Sequence, residues 1–529
     1  MKYFTRIVLA MAAFLVSCSK SSHLPSQTLR INITSEPTTL DPRKARDLNG
    51  VTLCRMLFEG LTRTSKEGIT ELALAERIEI SEDGLEYTFH LRNAAWSNGE
   101  PVTSYDFANS WKATLSPSFP SDIAYQLYPI KNGQKIKAGE MPIGALGIET
   151  PDSQTLVVKL ELPAPYFLDL CCMNAYFPVP KEAADSQWTS DPNTFIGNGP
   201  FLLKTWQHAD QIEMAKNTKY WQSDVVNLEG MLLVMVASDT EIRMFEENKL
   251  DWAGSPLSTI PVDAVKHLKQ CDQLKVSALS GTHFLRVNTE ETLQGKKNPL
   301  AHIGCRKALA MAVDRKGIAD HILQGGQTPA LSLVPKEMGL FREGYFSDQD
   351  TVGRKHLMEE GLHEMGLAKE SMEPIVLSFI ADERNMSIAQ AIQKNWETVF
   401  GIAVQLEAVE KKVYFQRIKQ KNFQLAMGSW IADFNDPINF LEVFKYKTAS
   451  TNNTNWENGK YIDLLDRSQL CRNQEERKEL LRQAEEILMA EMPIIPIFHY
   501  AMNYLEKERV ADIALSPVGG LDFRWAQIR

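Results

Sequence analysis

Strand-like and helix-like segments alternate between residues 285 and 500, and this alternation constrains the fold more than anything else in the 529-residue chain. Ile375 to Ile380 reads as a strand, Met386 to Phe400 as a helix, and Ile402, Val404 and Leu406 as the next strand. Glu475 to Met489 carries an amphipathic period, and Ile494 to Phe498 is a short apolar run typical of a buried strand. Ile303 to Leu323 predicts one helix, with Leu309, Ala312, Val313 and Ile318 on one side. Such spacing predicts an α/β block.

The first half is less regular. Leu29, Ile31 and Ile33 alternate with polar residues as in a strand. Leu85, Tyr87, Phe89 and Leu91 alternate with Glu86, Thr88, His90 and Arg92, the clearest half-buried strand in the chain. Asn98-Gly99 then predicts a turn. Thr103 opens a helix, with Asp106 in the capping-box position. Thr155 to Leu162 is a further strand, closed by Pro163 and Pro165, and residues 65 to 190 are rich in turns.

Composition sets outer limits. Hydrophobic residues make up 44% and charged residues 23%, enough apolar material for real cores and too many charges for a multi-span membrane protein. The length suits three or four domains, or fewer large ones. The net charge of −10 comes without a basic block and disfavours nucleic acid as a partner. No solenoid or propeller repeat is present.

At the start, Lys2 and Arg6 precede the apolar run Ile7 to Val16. That run is too short for a bilayer core about 30 Å thick, which needs about 20 helical residues. It reads as a secretory signal, residues 1–17. Leu15-Val16-Ser17-Cys18 has the form of a lipobox, which makes Cys18 the lipidated mature N-terminus and 18–28 a flexible tether; an ordinary signal peptide with a chance cysteine is the competing reading. The expected location is the periplasm or cell envelope, anchored through Cys18. The six remaining cysteines are too few for a disulfide scaffold, and no C-x-x-C is present.

Motifs for catalysis are missing. The chain has no G-x-S-x-G, H-E-x-x-H, P-loop or G-x-G-x-x-G, and its only S-x-x-K lies at the tether. Paired carboxylates for glycoside hydrolysis are not excluded by sequence. The expectation is a protein that is not an enzyme and uses no cofactor or metal.

Six separated segments then fall in a familiar order. They are Glu36-Pro37-Thr38-Thr39-Leu40-Asp41-Pro42 with Leu57-Phe58-Glu59-Gly60-Leu61; Tyr87 to Arg92 with Trp96-Ser97-Asn98-Gly99-Glu100-Pro101-Val102-Thr103; Asn198-Gly199-Pro200-Phe201 with Asn217, Tyr220 and Trp221; Arg306 to Arg315; Trp430-Ile431-Ala432-Asp433-Phe434-Asn435-Asp436-Pro437; and Pro493 to Ile497. In this order the chain resembles the oligopeptide-binding, OppA-like lipoproteins of ABC importers, the bacterial extracellular solute-binding proteins of family 5.

The resemblance implies an α/β, two-lobed periplasmic-binding-protein fold (type II, cluster C) with an extra domain inserted in the first lobe. Residues 29–64, 194–283 and 499–529 would form lobe I, 65–193 the extra domain and 284–498 lobe II. It implies a peptide ligand enclosed between closing lobes, delivery to a permease and ATPase complex, and a monomer. It also implies site residues. Asp433 matches the acid that binds the peptide α-ammonium, and Ser429, Trp430 and Ile431 the strand that pairs with the peptide backbone. Arg46, Asp47 and Leu48 match a second backbone-pairing segment, while Tyr125 and His283 fall in regions that line the cleft.

Spacing alone leaves Asp433 equally explained as a turn acid with Asp436 before Pro437. Trp430 alone equally suits a core, and Arg46 to Leu48 a solvated loop. The chain departs from the family where basic residues receive the peptide carboxylate: Met427 stands three residues before Trp430, and Asn385 aligns at the start of the helix that holds Met386. Arg384 and Arg417 lie next to such positions and, with Asn385, are the candidate carboxylate contacts. The alternatives are a hydrolase of glycans or peptides outside the cytoplasm, a surface lipoprotein that binds envelope or host proteins, or the same fold holding a nickel chelate, haem or sugar.

Overall fold

The computed structural model describes residues 27–184, 188–340, 344–348 and 350–529. The signal segment and Cys18 lie outside the described residues.

In chain order the elements that place the site begin with β1 (Thr28–Asn32) and α1 (Leu48–Leu57), then β2 (Ala75–Ile80), β3 (Glu86–Leu91), α2 (Ser104–Leu115), β4 (Ile148–Asp152) and β5 (Thr155–Lys159). There follow β6 (Phe201–Gln207), β7 (Gln211–Lys216), β8 (Gly230–Val234), β9 (Trp252–Gly254) and β10 (Lys275–Val287). The second half holds β11 (Ile375–Ile380), α3 (Glu383–Phe400), β12 (Val404–Val409), α4 (Lys411–Lys419), β13 (Leu425–Ile431), α5 (Gln474–Glu491) and β14 (Ile494–Glu506).

One large sheet runs through both halves in the order β12-β11-β13-β10-β14-β9-β1-β8-β7-β6. Its centre is the antiparallel pair β10 and β14, each 13 residues long. At about 3.3 Å per residue such strands extend about 43 Å, long enough to belong to both halves. At one end β14 pairs with β9 through Tyr504–Glu506; at the other, β10 pairs with β13 through Gly281–Val287. The β10–β14 register shifts between Ala278 and Thr282 and again between His283 and Phe284. Bulges bend and twist a ladder locally, so the β10–β14 pair bends at these two positions. The boundaries expected at 283/284 and 498/499 fall inside these two strands.

A separate four-stranded antiparallel sheet, β2-β3-β5-β4, occupies the turn-rich early region. β3 buries Tyr87, Phe89 and Leu91 and leaves the alternate residues partly exposed, as its alternation predicts. Both halves of the Thr103/Asp106 capping box form at the start of α2. Gly99 takes φ +95° in the predicted turn, a conformation that a side chain strains.

Two expectations require correction. The single helix over 303 to 323 is broken: a helix ends at Met311, and a new turn begins at Arg315. Asp314 caps that turn by accepting from Gly317 N (2.8 Å). The buried Arg315 guanidinium donates to carbonyls of Ala310 (2.8 Å), Ala330 (2.9 Å) and Pro496 (2.8 Å), a tertiary demand that overrides the helical period. The strand expected over Ile494 to Phe498 continues to Glu506, because its second half is only partly buried and carries Asn503 and Glu506, which mask its period.

All six described cysteines are free. Among the described residues, no helix is long and apolar enough to cross a membrane.

Candidate ligand-binding cleft

The sheet leaves one backbone edge without a partner. β13 pairs with β10 along its whole length, but with β11 only through Leu425 and Ala426. Beyond Ala426 the second edge, residues 427–431, has no β partner among the described residues. Alternate N–H and C=O groups of a strand point to each side. Met427 O already accepts from Tyr414 and Arg286, so residues 428–431, at about 3.3 Å each, offer about 13 Å of ladder to an extended chain.

Asp433 lies two residues past this edge. Asn439 fixes the turn between them: its Oδ1 accepts from Trp430 Nε1 (2.9 Å) and from Asp433 N (3.2 Å). Solvent reaches Asp433, yet protein surrounds it closely enough that burial raises its pKa above the ordinary carboxylate value; the Asn439 side chain offsets this in part. No cation is paired with Asp433 among the described residues. A carboxylate in that state gains from an incoming ammonium.

Tyr125 is half exposed (52%) and close enough to feel that charge: burial raises its phenol pKa first, and Asp433 raises it further. Arg46 also acts on Tyr125, and lies 3.8 Å from Asp122. Tyr125 thus lies near both Asp433 and Arg46. Asp47 and Leu48 serve differently. Asp47 caps α1 by accepting from Gly50 N (2.8 Å), and its carboxylate also holds Thr38 N (3.1 Å). Leu48 begins α1 with its side chain exposed.

A second cluster lies at the bulge. Ser429 is in register with His283, whose ring stacks on Phe498 at 4.7 Å; Tyr500 Oη lies 3.4 Å from His283 Nδ1. Burial, with Arg286 and then Arg384 nearby, drives the His283 pKa down to about 3, so this imidazole is neutral at physiological pH. Burial raises the Tyr500 pKa, whereas a hydrogen bond with Ser429 and the charge of Arg384 lower it. Arg384 is exposed beside this cluster, without an ion-pair partner among the described residues.

The other two carboxylate candidates are engaged. Asn385 bonds within the α3 cap, its N and Nδ2 both donating to Asp382 (2.9 and 2.6 Å). Arg417 pairs with Glu407 at 2.5 Å, in a groove with Lys421 and Gln424 that contains no residue of the Asp433 cluster. Met427 is buried, and the Arg286 guanidinium of the adjacent strand occupies the space above Gly428. Its Nη1 donates to Met427 O (3.1 Å), and a Cβ at Gly428 would lie 1.7 Å from that nitrogen.

Asp436 does more than make a turn. It accepts from Ile438 N (2.9 Å) and forms a buried bidentate pair with Arg477 of α5 (2.7 and 2.9 Å). Beside it Phe434 stacks on Tyr166 from the early region (4.9 Å, 12°), placing the Asp433 turn against the other half of the molecule. Asn439, Tyr500 and Tyr166 were not predicted from sequence. Only Tyr500 had a local signal, its place just beyond the apolar run 494–498; the other two are set by tertiary packing.

Comparison with known proteins agrees on one family. The description "Bacterial extracellular solute-binding proteins, family 5 Middle" matches residues 70–452. The oligopeptide-binding protein OppA of Bacillus subtilis is 38% identical over 511 residues, covering 95% of this chain and 93% of that protein. The unliganded open form of the periplasmic murein tripeptide-binding protein MppA superposes with a TM-score of 0.83 at 27% identity, covering 96% of this chain and 98% of that one. Haemophilus influenzae OppA in complex with the peptide RPPGFSPFR gives 0.74 at 27% identity, covering 95% and 99%.

Proposed function

This chain belongs to the bacterial extracellular solute-binding proteins of family 5, and we propose that it captures peptides outside the cytoplasm and delivers them to an ABC importer. Its fold is the two-lobed α/β arrangement of the periplasmic binding proteins, type II. We place the division between the lobes at the bulges of β10 and β14, with lobe I formed by 29–64, 194–283 and 499–529, lobe II by 284–498, and 65–193 as the inserted domain.

The observation that carries this reading is the free edge of β13 running up to an unpaired, partly desolvated carboxylate. The edge offers hydrogen bonds that every peptide backbone can use, so it confers affinity without sequence preference. Asp433 neutralises the α-ammonium. Of the three carboxylate candidates Arg384 is the one left unpaired beside the cleft, and it receives the peptide's other terminus. Arg46 and Tyr125 line the opposite wall. Binding to both lobes stabilises the closed arrangement by the difference in affinity between the two states.

The protein binds its ligand unchanged, as a monomer handing peptide to a permease and ATPase complex. A lipid on Cys18 holds it to the membrane, a reading supported by the Leu15-Val16-Ser17-Cys18 sequence. Replacing Cys18 by alanine then releases the protein from the membrane fraction; a variant that still pelleted with a labelled acyl chain would contradict the anchor.

Native mass spectrometry of the purified protein tests the function. A heterogeneous set of co-purified peptides, displaced intact by a defined peptide, with a smaller scattering radius for the loaded than for the peptide-stripped protein, is the expected result. Shortened peptide recovered from the complex would favour a hydrolase. A peptide mixture giving no bound mass and no thermal shift would overturn the importer reading.

A further inference from the structure

A second polar site lies away from the cleft, where the C-terminal segment packs on α1. A cavity of about 30 Å³ is lined by Arg55, Arg63, Arg524, Glu59, Asp522 and Ser516, among others. Its two carboxylates are committed. Glu59 Oε2 is shared by Arg524 (2.7 Å) and Arg63 (3.3 Å), and Asp522 is clasped by Arg524 (2.9 Å). Arg63 has a second partner at the rim, Glu71 (2.6 Å).

Arg55 is different. It stands in the last turn of α1 and lines the same cavity, yet no carboxylate or carbonyl bonds its guanidinium among the described residues. Arg55 is partly buried, which pushes its pKa down, and Asp522 nearby offsets this in part. The local backbone makes room for it: a Cβ at Gly520 would lie 2.5 Å from Arg55 Nη1 and 3.0 Å from Ser516 Oγ, so the guanidinium and the hydroxyl converge over a residue with no side chain. Ser516 Oγ accepts from Gly520 N (3.0 Å), which leaves its hydrogen free to donate. A guanidinium and a hydroxyl converging on a small cavity, beside carboxylates already paired, form a donor set with no protein acceptor.

We propose that Arg55 and Ser516 bind a small monovalent anion of the chloride class, which fastens the segment 514–524 to α1. The anion supplies the hydrogen-bond acceptor that no protein group provides to the Arg55 guanidinium. This site is independent of the peptide reading, since none of its lining residues belongs to the cleft.

The test uses the mature full-length protein, melted in sodium chloride or sodium gluconate at equal ionic strength. The expected result is a saturable rise in melting temperature with chloride and not with gluconate, because an anion that binds only the folded state stabilises it by mass action. Arg55→Met should abolish the saturable rise, and Ser516→Ala, a milder change that keeps the fold if Arg55→Met does not, should shift it to higher chloride. A bromide-soaked crystal should show an anomalous peak between Arg55 and Ser516. Equal curves in both salts, an unchanged chloride response in Ser516→Ala, or saturation by sulfate but not by chloride would each overturn the proposal.

Discussion

Trp430 Nε1 donates to Asn439 Oδ1 at 2.9 Å, and the same oxygen accepts the backbone N–H of Asp433 at 3.2 Å. One amide therefore sets both the indole at the end of the unpaired edge of β13 and the carboxylate beyond it. Asn439→Leu leaves the indole N–H and the Asp433 N–H without that acceptor, at about 1–3 kcal/mol for an unsatisfied buried donor. The expected outcome is weaker peptide affinity with a shifted tryptophan emission, read by fluorescence titration. Unchanged affinity in a folded Asn439→Leu protein would remove Asn439 from the site's architecture.

Peptide affinity should depend on pH through Asp433. Burial raises its pKa in the ligand-free protein, and an ammonium beside it lowers the pKa again. The ionised form is the one that binds, so affinity is full above the raised pKa and is lost as pH falls through it. The loss should begin at a higher pH than for an ordinary carboxylate. The effect on the free protein has the opposite sign: a raised folded-state pKa means ionised Asp433 costs stability above that pKa, a cost removed as pH falls. Calorimetric titration of one peptide across pH 3 to 7 checks the first effect, and Asp433→Asn should flatten the curve.

Arg384 should read the far terminus. Arg384→Ala is expected to weaken binding of free-acid peptides by roughly tenfold, the scale of one lost charge-assisted contact of about 1.5 kcal/mol, and to leave C-terminally amidated peptides nearly unaffected. Equal losses for acid and amide would assign Arg384 a merely structural role.

The Asp436–Arg477 pair is structural. Both side chains are nearly buried, at 12% and 10% exposure, and joined by two hydrogen bonds. Arg477→Met strands the Asp436 carboxylate and should lower stability by about 3–5 kcal/mol in chemical denaturation. A change below 1 kcal/mol would show that water takes over the carboxylate.

Much of this arrangement is legible in the sequence where a local rule governs it. The alternation of Tyr87, Phe89 and Leu91 becomes β3, and the Thr103/Asp106 box starts α2. The segment around Trp430 and Asp433 is recognisable because its residues are contiguous. What stays hidden is decided by distant partners. Arg315 breaks a helix for carbonyls as far away as Pro496, and β14 runs past its apolar stretch to pair with β9. Asn439 and Tyr166 hold the segment 430–434 through contacts no spacing rule encodes. Arg384 and Arg417 look alike in sequence and separate only when Glu407 is seen to claim one of them.

The central claim is that the Asp433 carboxylate meets the α-ammonium of a peptide docked along β13, and one double-mutant cycle tests it most directly. Affinities are measured for a peptide and its N-acetylated form against wild type and Asp433→Asn. The account predicts that Asp433→Asn costs the free peptide about 3 kcal/mol, on the order of a hundredfold, and that acetylation weakens wild type heavily but the variant little. Acetylation that costs both proteins equally would contradict the account and leave Asp433 a turn residue beside Pro437.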